Sequence, residues 1–177
     1  MSLEERLRPI DAIFRAERVG YAIIGAFAVA AWGEVRGTRD LDILTEASGI
    51  ARIADALERS GYSVEVRTGD ADAPFATVVR ARSGSGDEVE QVDILAGIRG
   101  APPGIVGRAR QVALSSLTVP VASPEDMILL KLLAGSAQDL EDARGIVRIQ
   151  GNQLARATLD DLCPPPLKQA LDGLFTA

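Results

Sequence analysis

Histidine is absent from the chain. That absence removes a His-based catalytic triad, a His-liganded zinc site and imidazole acid–base chemistry, so any general-base role falls to carboxylates. The one cysteine, Cys163, has no partner for an internal disulfide. Beside Pro164-Pro165-Pro166 it reads as a packed or idle thiol rather than a nucleophile. Aromatic residues make up 4% of the sequence, too few for extended base-stacking platforms. Long hydrophobic runs are missing as well. The apolar stretch from Tyr21 to Trp32 is broken by Gly25 and is too short to cross a bilayer. The acids Glu4, Glu5, Asp11 and Glu17 upstream of it do not suit a signal peptide. The expectation is a cytoplasmic, soluble protein without a membrane partner. Positive charge is in the minority, 19 Lys+Arg against 25 Asp+Glu for a net charge of −6. This balance argues against a surface dominated by attraction to nucleic acid and favours small or protein substrates.

What is present is globular in character. With 177 residues, 47% hydrophobic and 25% charged, the chain is long enough to bury a sizeable core as one domain with a small helical appendage. Leu3, Leu7, Ile10, Ile13 and Phe14 recur at helical spacing and predict an opening amphipathic helix that ends before Gly20. Tyr21–Ile24 reads as a buried strand, Gly25 as a turn and Ala26–Glu34 as a helix. A strand followed by glycine and a helix start presents unpaired N–H groups and a positive dipole end to an anion, although many α/β chains have such a turn for topology alone. Further elements are a strand over Arg39–Leu44, a helix carrying Ile50, Ile53, Ala54 and Leu57, and strands over Tyr62–Arg67 and Phe75–Ala81. A flexible hairpin loop at Ser83–Asp87 leads to a strand from Val89 to Leu95 that pairs antiparallel with the preceding arm. A loop over Gly97–Gly107 and a last strand over Leu117–Val121 follow. From Ser123 onward the pattern is all helical: a Ser-capped helix with Pro124 at its first position, one over Gln138–Gln150, and two shorter ones around Gln153–Leu162 and Pro165–Phe175. Residues 1–122 thus form a core and 123–177 a helical region packed on it.

Two stretches carry chemistry. In Thr38-Arg39-Asp40-Leu41-Asp42-Ile43-Leu44, two acids sit in what otherwise reads as a buried strand. Side chains at i and i+2 share a face about 6.6 Å apart, so Asp40 and Asp42 project together while Leu41 and Ile43 face the apolar side. Two like charges held together need a cation or suffer a raised pKa. An oxygen-only pair favours Mg²⁺ or Mn²⁺, which lean on substrate phosphates for further ligands. The competing reading is a strand end with two solvated acids. Asp93 interrupts a second apolar strand, Gln91-Val92-Asp93-Ile94-Leu95. If the two strands are neighbours, three carboxylates converge as in two-metal phosphoryl-transfer sites, and the third acid can serve as a general base.

Gly25-Ala26, Arg36-x-Thr38-x-Asp40-x-Asp42-Ile43-Leu44, Val92-Asp93-Ile94-Leu95 and Pro124-Glu125-Asp126 leading to Lys131 and Asp139 together resemble the nucleotidyltransferase superfamily, in particular its minimal AbiEii-like, toxin-associated branch. The resemblance covers residues 20 to 150. It implies an α/β (α+β) fold with a mixed, mostly antiparallel sheet, packed helices and a helical C-terminal bundle. It implies that Asp40 and Asp42 hold Mg²⁺, that Asp93 completes the acidic triad, and that Gly25 and the amide of Ala26 cradle a nucleoside triphosphate (NTP). Lys131 would meet a phosphate, the alternative being a solvated helix lysine, and Arg36 or Thr38 would shape the strand entry. The implied activity is transfer of a nucleoside monophosphate to a hydroxyl of RNA, protein or a small molecule, with an antitoxin as a possible partner in a toxin–antitoxin pair. The rival is a non-catalytic nucleotide- or partner-binding module that keeps the fold. Two positions depart from the family pattern: Ala26 lacks the hydroxyl relatives often carry, and Ser136 stands where they commonly have a basic residue.

Overall fold

The computed structural model describes residues 2–34, 40–84 and 90–176. The opening helix α1 (Leu3–Ala16) is started by a reciprocal capping box between Ser2 and Glu5, and its Leu7, Ile10 and Phe14 turn inward. Then come β1 (Tyr21–Ile24), α2 (Gly25–Trp32), β2 (Leu41–Thr45), α3 (Ile50–Arg59), β3 (Ser63–Thr68), β4 (Phe75–Ser83) and β5 (Glu90–Ile98). The chain continues through β6 (Arg110–Leu114), β7 (Leu117–Val121), α4 (Pro124–Ala134), α5 (Ala137–Gln150), α6 (Arg156–Leu162) and α7 (Lys168–Gly173). The strands form one mixed, mostly antiparallel sheet in the order β3-β4-β5-β2-β1-β7-β6. Only β2 with β5 and β1 with β7 run parallel. The expected fold class is what the chain adopts.

One face of the sheet is closed by an apolar layer. Leu41 and Ile43 of β2, Val92 and Ile94 of β5, and Val79 and Ala81 of β4 are all buried there, beneath α1 and α3. Burying each large aliphatic chain of this kind contributes roughly 1.5–3 kcal/mol of transfer free energy, so this layer fixes the register of the central strands. Register in turn fixes the other face. Across it runs one rung of the sheet, Glu65, Arg80, Asp93, Asp42 and Ile24, each paired with the next on the neighbouring strand. The adjoining rung is Arg67, Val78, Leu95, Leu44 and Ala22. Helix α2 covers the β1–β2 part of this face, with α4 and α5 packed behind it.

Several boundaries differ from the sequence reading. Helix α2 begins at Gly25 itself, not at Ala26, and ends at Trp32 rather than Glu34. β5 continues past Leu95 to Ile98. β6 has no counterpart in the reading, because only Val112 and Leu114 of this edge strand are apolar and half-buried while Arg110, Gln111 and Ala113 are exposed. It pairs antiparallel with β7 across a two-residue turn at Ser115-Ser116 and holds α4 in place. Arg110 bonds the buried Glu125 carboxylate, and Arg108 just before the strand grips the fully buried Asp126 at 2.7 and 3.1 Å. The two closing helices are shorter than expected, each preceded by a short 3-10 turn, at Gly151–Gln153 and Pro165–Leu167. Cys163 is buried, a packed thiol whose pKa is raised by burial.

Candidate nucleotidyl-transfer site

The parallel pairing of β2 with β5 sets Asp42 directly opposite Asp93. In-register residues of parallel strands point to the same face, so the expected neighbouring placement of these two acids is what the sheet produces. Asp40 stands immediately before β2, exposed, close enough for its charge to act on Asp42. The Asp42 pKa is pushed up to about 6, first by burial and then by the charges of Asp93 and Asp40, while Lys131 acts in the opposite direction. Among the described residues no three acidic, Cys or His side chains converge closely enough to form a ready-made metal cage. Arg36 and Thr38 lie outside the described residues, as does the segment from Ser85 to Val89.

Gly25 is pressed against this acid. It has φ +68°, and a Cβ at that position would fall 3.0 Å from Cγ of Asp42 and closer still to Oδ2. Both the backbone angle and the contact demand glycine. The N-cap residue of α2, Ile24, makes no side-chain cap, so the helix starts beside Asp42 without the capping bond that Ser or Asp would supply.

Arg80, which the sequence reading did not single out, is part of the site. Its Nε and Nη2 donate to Oδ1 and Oδ2 of Asp93 at 2.9 and 2.8 Å, a bidentate grip that holds the carboxylate in one orientation. The signal that could have found it is the arm register of the β4–β5 hairpin, which pairs position 80 with position 93. Lys131 is more occupied than a solvated lysine or a free phosphate ligand. Its Nζ bonds Asp139 at 2.7 Å and Asp142 at 2.9 Å, and it is largely shielded from solvent. Asp139 also forms a capping box with Ser136, so the residue at position 136 starts α5.

Two cavities meet around these residues. One, about 430 Å³, is lined by Gly25, Lys131 and Asp139 together with Phe75, Ile98, Met127 and Leu130. The other, about 260 Å³, is lined by Asp42, Asp93, Arg67, Arg80, Phe75, Val78 and Leu95. Phe75 faces both, and the contact between Gly25 and Asp42 joins them.

A sequence model of the aminoglycoside-2''-adenylyltransferase family matches residues 6–93, the span that holds Gly25, Asp40, Asp42, Arg80 and Asp93. By shape, the chain matches the crystal structure of ANT(2'')-Ia in complex with adenylyl-2''-tobramycin, with a TM-score of 0.64 and 16% identity over 89% of this chain and 92% of that one. The fold is the nucleotidyltransferase fold. A second solved example is the lincomycin-bound lincosamide antibiotic adenylyltransferase LnuA (TM-score 0.53, 20% identity, 82% and 97% covered). A third is an antigenic nucleotidyltransferase-like protein from Paracoccidioides brasiliensis (TM-score 0.57, 19% identity, 96% and 92% covered). No curated protein matches the chain by sequence. The family model spans residues 6–93 of the 177-residue chain, and the solved structures share its fold.

The donor set fits a hard divalent ion. Two oxygen-only side chains share a rung and a third lies nearby, while burial first and the charges of Asp93 and Asp40 second raise the pKa of Asp42. No helix among the described residues is long and apolar enough to cross a membrane.

Proposed function

We propose that this protein is an enzyme that transfers a nucleoside monophosphate from an NTP to a hydroxyl group of a small molecule. The observation that carries the reading is the position of Asp42 at the junction of the two cavities, paired with Asp93 on one side and pressed against Gly25 on the other. The larger cavity receives the nucleotide and the smaller the acceptor. Mg²⁺ or Mn²⁺ held by Asp42 and Asp93, with Asp40 beside them, would supply charge neutralisation for the triphosphate. The start of α2 offers backbone donors to its phosphates, and Lys131, paired with Asp139 and Asp142, lies at the rim of the same cavity. Arg80 fixes Asp93 so that its carboxylate faces the incoming hydroxyl, where it takes the proton. The acceptor oxygen then bonds to the α-phosphorus, the bond from that phosphorus to the bridging oxygen breaks, and pyrophosphate leaves. Positioning and preset charge do most of this work.

Small-molecule acceptors are favoured because the family match is to an aminoglycoside adenylyltransferase and two similar folds are antibiotic adenylyltransferases. The toxin-associated AbiEii-like branch, with an antitoxin partner and RNA or protein as acceptor, draws no comparable support. Incubation with Mg²⁺ and NTP labelled at the α-phosphate tests the proposal. Label should pass to a small-molecule fraction of a cell extract in wild type and not in Asp42→Asn. Mg²⁺-dependent nucleotide binding without transfer to any fraction would instead establish the non-catalytic module.

A further inference from the structure

The chemistry of the acceptor is written on the open half of the sheet face, beyond Asp93. Resting on the nucleotidyltransferase reading, we infer that the acceptor is a small hydroxyl compound bearing a carboxylate or phosphate, whose anion is held by Arg67 and Arg80. The lining, charge and size of the smaller cavity lead there.

The smaller cavity contains two guanidinium groups, Arg67 on β3 and Arg80 on β4, with a third, Arg82, one rung further along the same face. The carboxylates within reach of a ligand are already engaged. Asp93 is held by Arg80, and Glu65 accepts from Arg67 at 2.7 Å. Each arginine uses Nε and Nη2 in these pairs, which leaves donors on both planar groups for a second anion. Arg67 is 66% exposed, so its outer edge is open to a ligand.

The charge balance points the same way. The cavity's two acids, Asp42 and Asp93, are assigned to the ion and to proton transfer, so the charged side chains left in its lining for the acceptor are Arg67 and Arg80. A polycation would meet repulsion from both arginines and, among the described residues lining this cavity, no carboxylate beyond those two. The remaining lining, Phe75, Val78 and Leu95, suits an apolar segment between the anion and the reacting hydroxyl. At about 260 Å³ the space lies below the usual range for drug-sized ligands, which favours a compact acceptor. The net charge of −6 disfavours a nucleic-acid strand as the source of the anion.

The test compares probes that share one scaffold and differ in charge: 4-(hydroxymethyl)benzoate, 4-(hydroxymethyl)benzyl phosphate and 4-(hydroxymethyl)benzylamine. Tobramycin and a short RNA oligonucleotide are included as well. Binding is measured by calorimetry to the full chain, with and without Mg²⁺ and a non-hydrolysable ATP analogue. At least one of the two anions should bind ten-fold or more tightly than the amine, and which anion wins separates carboxylate from phosphate. Arg67→Glu should cancel that preference while leaving Mg²⁺-dependent nucleotide binding unchanged, which also shows that the variant is folded. The inference is overturned if the amine or tobramycin binds as tightly as the anions, if neither anion binds, if Arg67→Glu leaves the ranking intact, or if the RNA binds more tightly than both small anions. Absence of Mg²⁺-dependent nucleotide binding would instead overturn the nucleotidyltransferase reading, and the probe ranking in nucleotide-free protein would still judge the arginine site.

Discussion

Arg80 grips Asp93 with two near-parallel hydrogen bonds, Nε to Oδ1 at 2.9 Å and Nη2 to Oδ2 at 2.8 Å, across adjacent antiparallel strands. Lysine keeps the charge but cannot reproduce the fork. Arg80→Lys should therefore lower kcat about ten-fold with a small effect on stability. Arg80→Ala leaves a half-buried carboxylate unpaired and should cost about 1–2 kcal/mol in thermal unfolding. Equal kcat in wild type and both variants would show that the orientation of Asp93 is irrelevant to turnover.

Gly25→Ala sets a methyl group against the Asp42 carboxylate at a backbone angle of +68°. Left-handed strain alone costs about 1 kcal/mol for a non-glycine residue, and displacing Asp42 adds to it. Nucleotide transfer should fall by about 10² or more, since small misplacements at a reacting centre have effects of that size. The assay is the initial rate at saturating NTP, alongside a melting curve.

Asp42 gives a pH signature with a definite sign. Its pKa in the folded chain is raised to about 6 from 3.8, so the ionised form is disfavoured by folding. The folded state therefore loses stability as pH rises through about 6 and is spared that cost below the unfolded value. In metal-free buffer, Asp42→Asn should be more stable than wild type at pH 8 by about 1–2 kcal/mol, after allowance for partial solvent screening. The difference should shrink by pH 5. Melting curves at the two pH values decide it, and a gain independent of pH would contradict the assignment.

Lys131 neutralises two acids of α5, one of them, Asp142, nearly fully buried. Lys131→Met should destabilise the fold by about 2–4 kcal/mol because it removes the cation that bridges Asp139 and the buried Asp142. Adding Asp142→Asn should recover part of the loss, a coupling that a double-mutant cycle measures. If Lys131→Met instead leaves stability untouched and only weakens NTP binding, the lysine acts as a phosphate ligand alone.

What could be read in the sequence followed from local pattern. The apolar run of β1, the interrupted strands of Asp42 and Asp93, and the cap at Ser123 each announce themselves within a few residues. Arg80 could not be read so. Nothing in Thr77-Val78-Val79-Arg80-Ala81 marks it until the β4–β5 register fixes which residue it faces, and a slip of one position would turn it to the other side of the sheet. Asp139 and Asp142 of α5 converge on Lys131 of α4, a pairing set by how the two helices pack and not by local pattern. β6 alternates in burial from Gln111 to Leu114, but the apolar Ala113 on its exposed side blurs that pattern in the sequence of this edge strand.

The central claim is that Asp42 and Asp93 hold a divalent ion against a triphosphate seated on the start of α2. Its most direct test is a crystal soaked with Mn²⁺ and a non-hydrolysable NTP, with the ion located by anomalous scattering. The account predicts a peak bridging Asp42 and Asp93, with phosphate oxygens at the backbone of Gly25 and Ala26. A nucleotide bound with no peak between these carboxylates, or a peak elsewhere on the chain, would contradict it.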